Sequence, residues 1–281
     1  MIDSVNNEKI LFFKKLRDKK YILENNMFIV EGEHLVEEAY KSGILLEVIK
    51  SNKCSISYDV KTTIVSDKCL EKISLLKSTP NIMGVVKFFL SNKIVGKKIV
   101  LLDNVQDPGN VGTIIRSALA FNVSTIVLSL DSVNIYNDKL IRSTEGCMFN
   151  MNIVRMDLNQ AIDKIHDMGI KVYYADMHGS INLDNSEVKD YALVLGSEGK
   201  GISSYIKEKA DEGINIPMNS KCESLNVGVS GSIIMYKFRW SVWNMYMLGN
   251  LLILMDLRVK LNYLVILIIK IIILKRVYIY I

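Results

Sequence analysis

Asn110 and Arg116, Ser197 and Glu198, and Ser224 and Asn226 are the residues of this 281-residue chain whose types and surroundings could do chemistry. The first pair belongs to DNVQDPGNVGTIIR (103–116). There Pro108-Gly109-Asn110 is expected to turn tightly into a helix, with Arg116 one to two turns in, close enough to the helix N-terminus to help hold an anion. The second pair sits in LGSEGKGIS (195–203), whose three glycines allow a ligand close to the backbone. The third precedes a helix of small residues in IPMNSKCESLNVGVSGSIIMY (216–236). Each loop alone also has a plainer reading: a turn, a surface arginine, a pair of helix caps. Neither a GxGxxG dinucleotide fingerprint, a phosphate-binding GxxxxGK[ST] loop nor a GxSxG nucleophile elbow occurs. Four cysteines and three histidines are scattered without a CxxC pair, so a metal site has little to build on and reduced thiols of a cytosolic protein are expected.

The elements that must position these loops follow from the apolar runs. IVLLD (99–103), STIVLS (124–129), KVYYAD (171–176), YALVLG (191–196) and GINIPM (213–218) are continuous apolar runs of strand length, and VGTIIRSALAFN (111–122) has a helical pattern. Strands alternating with helices predict a mainly parallel sheet covered on both faces, with ligands at the strands' carboxyl ends. All three chemistry-bearing loops follow such strands. Ahead of them, FIVEG (28–32), ILLEVIK (44–50), TTIVS (62–66) and IMGVVKF (82–88) are expected as strands, with helices over 33–43 and 67–77, forming a small α/β unit. SNKIVGKK (91–98) is a polar linker.

Charge adds little. The net charge is +5, but seven of the 35 basic residues and one of the 30 acidic ones lie from Lys237 onward, which leaves a nearly neutral body. One basic run remains, Lys14, Lys15, Arg17, Lys19 and Lys20, and on charge alone a solvated helix face is preferred to an RNA contact. The N-terminus lacks an apolar core of signal-peptide length, so a cytoplasmic protein is expected.

Taken together and in order, the three loops resemble the signature motifs of the SpoU (TrmH) branch of the SPOUT methyltransferases. Asn110 and Arg116 are similar to its first motif, Leu195-Gly196-Ser197-Glu198-Gly199 to its second, and Ile216-Pro217-Met218 with Ser224-Leu225-Asn226-Val227 to its third. The resemblance covers about residues 97–236, and FIVEGEHLVEEA and TPNIMGVV within 24–92 resemble the small RNA substrate-binding domain that many members carry.

It implies an α/β fold with a trefoil-knotted methyltransferase domain and four segments: a basic N-terminal helix (1–23), the substrate-binding domain (24–92), the methyltransferase domain (97–236) and a hydrophobic tail (237–281). The implied activity is S-adenosyl-L-methionine-dependent methylation of a ribose 2′-hydroxyl, with 23S ribosomal RNA the expected substrate and a homodimer the expected assembly. Asn110, Arg116, Glu198, Ser224 and Asn226 are the implied catalytic set, and Gly196, Ile216 and Leu225 the implied cofactor contacts. The family usually has Arg116's counterpart activate the hydroxyl. A guanidinium is hardly ever deprotonated, so anchoring a phosphate and orienting the ribose suits it better. Small residues Gly228, Ser230, Gly231 and Ser232 are expected to let the last helix pack closely.

The chain departs from the family after Tyr236, where members often continue with Glu and this one has Lys237. The tail is rich in Ile, Leu and Tyr. A frameshift-like origin and a membrane anchor both remain open, although charges at Asp256, Arg258, Lys260 and Lys270 break its apolar runs. The alternative functions are accordingly a catalytically impaired RNA-binding protein of the same fold, or a membrane-associated form held by the tail.

Overall fold

A computed structural model describes residues 1–87, 90–186 and 188–239; the expectations for the tail beyond Arg239 lie outside these residues. Phe238 and all residues before it form one compact unit. Two sheets organise it.

The N-terminal sheet has four strands in the order β1-β4-β2-β3: β1 (Met27–Glu31), β2 (Leu45–Ser51), β3 (Lys61–Val65) and β4 (Ile82–Lys87). β4 runs antiparallel to both β1 and β2, while β2 and β3 are parallel. Instead of one basic N-terminal helix there are two, α1 (Glu8–Lys15) and α2 (Lys19–Asn25), capped by Asn7 and Asp18. Ile10, Phe13 and Leu16 insert beneath one face of the sheet, beside Ile29, Ile49, Leu70 and Val85. The other face is covered by α3 (Glu33–Lys41) through Leu35, Val36 and Ala39. The helix expected over 67–77 stops early, as α4 (Asp67–Ile73). Its successors Ser74 and Leu75 turn instead to the buried Glu31 carboxylate, which accepts from the Ser74 hydroxyl at 2.5 Å and the Leu75 amide at 3.0 Å.

The second sheet has seven strands, all parallel, in the order β7-β6-β5-β10-β8-β11-β9. They are β5 (Lys98–Asp103), β6 (Thr125–Leu128), β7 (Asn152–Arg155), β8 (Val172–Ala175), β9 (Ile181–Asn182), β10 (Tyr191–Gly196) and β11 (Glu212–Asn215). Each central strand is apolar throughout because alternate residues serve opposite cores. Val100, Leu102, Ile126, Leu193 and Leu195 face α5 (Pro108–Ala120), α6 (Asp138–Ser143) and α9 (Val227–Phe238). Ile99, Leu101, Val127, Ala192 and Val194 face α7 (Leu158–Asp167) and α8 (Ser204–Lys209).

α5 begins three residues earlier than the apolar pattern suggests. Asp107 caps it by accepting from the Asn110 amide at 2.9 Å, and Pro108 takes the first helical position, so Pro108-Gly109-Asn110 is the first helical turn. The last helix continues past the motif region to Phe238, whose ring packs edge-on against buried Tyr191 at 5.1 Å. No helix among the described residues is long and apolar enough to cross a membrane.

Candidate active site

The carboxyl ends of β8, β10 and β11 open into one cleft of about 440 Å³, in the size range of ligand pockets. Its walls come from the loops after these strands: Asp176 and His178 after β8, Gly196, Ser197 and Glu198 after β10, and Ile216, Ser224, Leu225 and Asn226 after β11.

The loop after β10 is a tight reversal. Ser197 and Gly201 exchange backbone hydrogen bonds, amide to carbonyl, at 3.1 and 2.8 Å. A Cβ on Gly196 would lie 2.4 Å from the Gly201 carbonyl carbon, so the closed reversal requires glycine there. Asp103, buried at the end of β5, ties down the far side by accepting from the Ser203 amide at 2.8 Å and its hydroxyl at 2.5 Å. Glu198 is thereby held at the tip.

Asn226 does two jobs. Its side-chain oxygen caps α9, accepting from the Gly228 and Val229 amides at 2.9 and 3.2 Å. Its Nδ2 donates to Glu198 Oε1 at 2.7 Å and to Asn110 Oδ1 at 2.9 Å, and Asn110 Nδ2 donates to the same Glu198 oxygen. Three segments far apart in sequence thus meet in a closed triangle of two amide–carboxylate bonds and one amide–amide bond. Replacing Asn226 with Asp keeps the cap oxygen but sets a carboxylate against Glu198, so it is expected to open the triangle by repulsion and to end activity. Asn226→Ala is expected to cost about 1 kcal/mol of cap energy as well, some 2–4 °C in a thermal melt. Equal activity in both variants and the parent would show the triangle to be idle.

Ser224 lines the cleft, as do Gly196, Ile216 and Leu225. Arg116 does not join them. It is the ninth residue of α5, about 12 Å along the axis from Pro108, beyond the reach of the helix N-terminal field. It is exposed and makes no hydrogen bond or ion pair within the described residues. Its charge reaches Cys147, whose thiol burial pushes up and the guanidinium pulls down. Gly228 and Gly231 are buried against α5 and β10, and Ser232 bonds Ser117 of α5 at 2.7 Å, so the small residues do allow α9 to lie close.

Sequence reasoning missed the polar wall of the cleft. Asp176, at the end of β8, pairs with Lys207 of α8 and accepts from the His178 amide at 2.8 Å. Burial opposes its charge, but the Lys207 ammonium and that amide hold the carboxyl below its ordinary range. Only the position after an apolar run marks Asp176 in the sequence, and many aspartates share it.

Residues 97–236 match the SpoU rRNA Methylase family, and residues 7–84 match the MRM3-like substrate binding domain. A 23S rRNA (guanosine(2553)-2′-O)-methyltransferase of Bacillus subtilis, RlmP, is 34% identical over 244 residues, which is 85% of this chain and 98% of that protein. The chain belongs to the SpoU rRNA methylase family. A solved protein of the TrmH family from Porphyromonas gingivalis superposes with a TM-score of 0.76 at 27% identity, covering 84% of this chain and 98% of that one. An AdoMet-bound rRNA methyltransferase from Sinorhizobium meliloti shares the fold, with a TM-score of 0.74 at 24% identity over 84% of this chain and 95% of its own.

The residues here fit an adenosyl sulfonium cofactor. The cleft offers apolar Leu195, Ile202, Ile216 and Leu225 for a base, and Asp176 and Lys207 as charged partners for ribose hydroxyls or an amino-acid end.

Proposed function

We propose that this protein methylates a ribose 2′-hydroxyl of ribosomal RNA, 23S RNA by its likeness to RlmP, using S-adenosyl-L-methionine, and that it does so in the cytoplasm. The observation that carries the reading is the Asn110–Glu198–Asn226 triangle at the mouth of a cleft lined by Gly196, Ile216 and Leu225. The cofactor supplies an electrophilic methyl group on sulfonium. The rest falls to the chain's own residues. Glu198 has one oxygen held by two amides; the other takes no hydrogen bond among the described residues and is free to accept one from the 2′-hydroxyl, aiming its oxygen. Ser224 extends the polar rim. Arg116 clamps the neighbouring phosphate with its planar fork. Residues 24–92, with the helices before them, hold the RNA, and residues 97–236 carry the reaction and the trefoil knot.

The test is tritium transfer from labelled cofactor to 23S RNA by the full chain, followed by mapping of the alkali-resistant ribose. No transfer, together with no calorimetric heat for the cofactor, would overturn the reading.

The same reading includes a homodimer. α9 presents Val229, Ile233 and Tyr236 in one stripe, 45%, 38% and 51% exposed, beside the face of α5 that carries Arg116. An exposed apolar stripe next to a catalytic arginine outside its own chain's cleft fits a second copy that brings the two together. Light scattering at micromolar concentration is expected to give twice the chain mass, and Ile233→Glu half of that. A monomeric parent would refute it.

A further inference from the structure

One member of the N-terminal basic run is not on the surface. Lys14, Lys15, Lys19 and Lys20 are exposed, but the Arg17 side chain is only 9% exposed and its guanidinium points inward. Nη2 donates to Glu31 Oε1 at 2.6 Å, Nε to the Ile73 carbonyl at 3.3 Å, and Nη1 to the Ile29 carbonyl at 3.2 Å. These acceptors belong to β1 and α4 of the four-stranded unit. The fourth does not: Nη1 also reaches Asp138 Oδ1 at 3.1 Å, at the start of α6 beside the seven-stranded sheet.

α6 in turn is pressed against the active-site helix. Ser143 at its end donates to the Pro108 carbonyl at 3.0 Å, and a Cβ on Gly112 of α5 would lie 2.0 Å from the Ser143 hydroxyl oxygen. Displacing α6 therefore displaces the first turn of α5, which presents Asn110. Elsewhere among the described residues the two sheets' elements meet through apolar and backbone contacts and one solvent-exposed side-chain pair, His34 with the Glu145 carboxylate at 3.6 Å, which contributes little. Phe28 packs on Tyr136 at 5.2 Å between centroids, the His34 ring nitrogen lies 3.2 Å from the Glu145 carbonyl oxygen, and Gly146 abuts Glu38. Such contacts hold the units together without fixing their angle. A buried fork with acceptors on both sides does fix it, because each donor has one direction.

We propose that Arg17 is a positioning residue: through Asp138 it sets the angle between the RNA-holding unit and the α6–α5 pair, and so where a bound RNA meets the methylation site. This rests on the methyltransferase reading above. Asp138→Ala removes the acceptor and so severs the link between units, while leaving Arg17 its three partners in the N-terminal unit, so that unit stays folded. With full-length chain and 23S RNA, kcat/KM is expected to fall about 10- to 100-fold, as for a small misplacement of reacting groups. With an oligonucleotide too short to reach the N-terminal unit, the rate should be that of the parent, and calorimetric cofactor affinity should be unchanged. Arg17→Lys should repeat the loss, since an ammonium cannot serve all four acceptors. Equal losses on both RNAs, a loss of cofactor affinity, or no loss at all would overturn the proposal. If the parent transfers methyl to neither RNA, the methyltransferase reading fails separately. Distance measurements between labels at positions 20 and 164 then decide, where an Asp138→Ala distribution as narrow as the parent's sinks the proposal.

Discussion

Arg116→Ala is expected to lower methyl transfer about 30- to several-thousand-fold while leaving cofactor affinity unchanged, because removing a charge-assisted bidentate hydrogen bond from a desolvated site costs roughly 2–5 kcal/mol. The structure makes this a clean experiment. Arg116 is exposed on α5 and bonds to nothing else among the described residues, so alanine leaves the fold within about 0.5 kcal/mol of the parent. A reduced rate then reports on RNA binding and not on unfolding. Arg116→Lys should recover only part of the rate, since an ammonium has the charge but not the planar fork. Tritium transfer to 23S RNA, with calorimetry for the cofactor on the same preparations, checks both halves. Full activity in Arg116→Ala would remove the arginine from the site and return it to the surface.

Gly196→Val is expected to do the opposite, abolishing measurable cofactor binding. The added Cβ falls 2.4 Å from the Gly201 carbonyl carbon, and backbone cannot swing aside as a flexible side chain can. The reversal between Ser197 and Gly201 must open, which moves Glu198 away from Asn110 and Asn226 and spreads the cleft wall at Gly196 and Ile202. The defect thus arises from the loop's own closure before any ligand arrives. Calorimetry with S-adenosylmethionine, beside circular dichroism to show that the sheets persist, measures it. Parent-like affinity in a folded Gly196→Val protein would mean that the closed loop is not what holds the cofactor.

The candidate site is unevenly legible in the sequence. Asn110, Glu198 and Asn226 stand in loops that follow apolar runs, and their motifs mark them without coordinates. Their mutual bonding is invisible there, since Asn226 also satisfies everything expected of a helix cap. Asp103 and Asp176 do not stand out because an aspartate closing a strand is common, and their value lies in partners 100 and 31 residues away, Ser203 and Lys207. The apolar pattern puts Arg116 too near its helix N-terminus, because the helix starts at Pro108, not at Val111. A proline at the first helical position looks like a turn from sequence alone.

What the sequence determined by itself was local and periodic. Continuous apolar runs of four to six residues required strands buried on both faces, as seen in β5, β6 and β10. Gly196, Gly199 and Gly201 marked a loop where a ligand could approach the backbone, and Pro108-Gly109 a turn leading into a helix. Only the tertiary structure decided which strand lies beside which. β10 inserts between β5 and β8, and that brings the loops of residues 110, 198 and 226 to one edge. It also decided that Arg17, within a run of five bases, turns inward while its four neighbours stay in water. The physical reason is the same in both cases. A residue's period is written in its neighbours along the chain, but its hydrogen-bond partners are chosen by burial, where a polar group must find whatever acceptor the packing of distant segments has brought within about 3 Å.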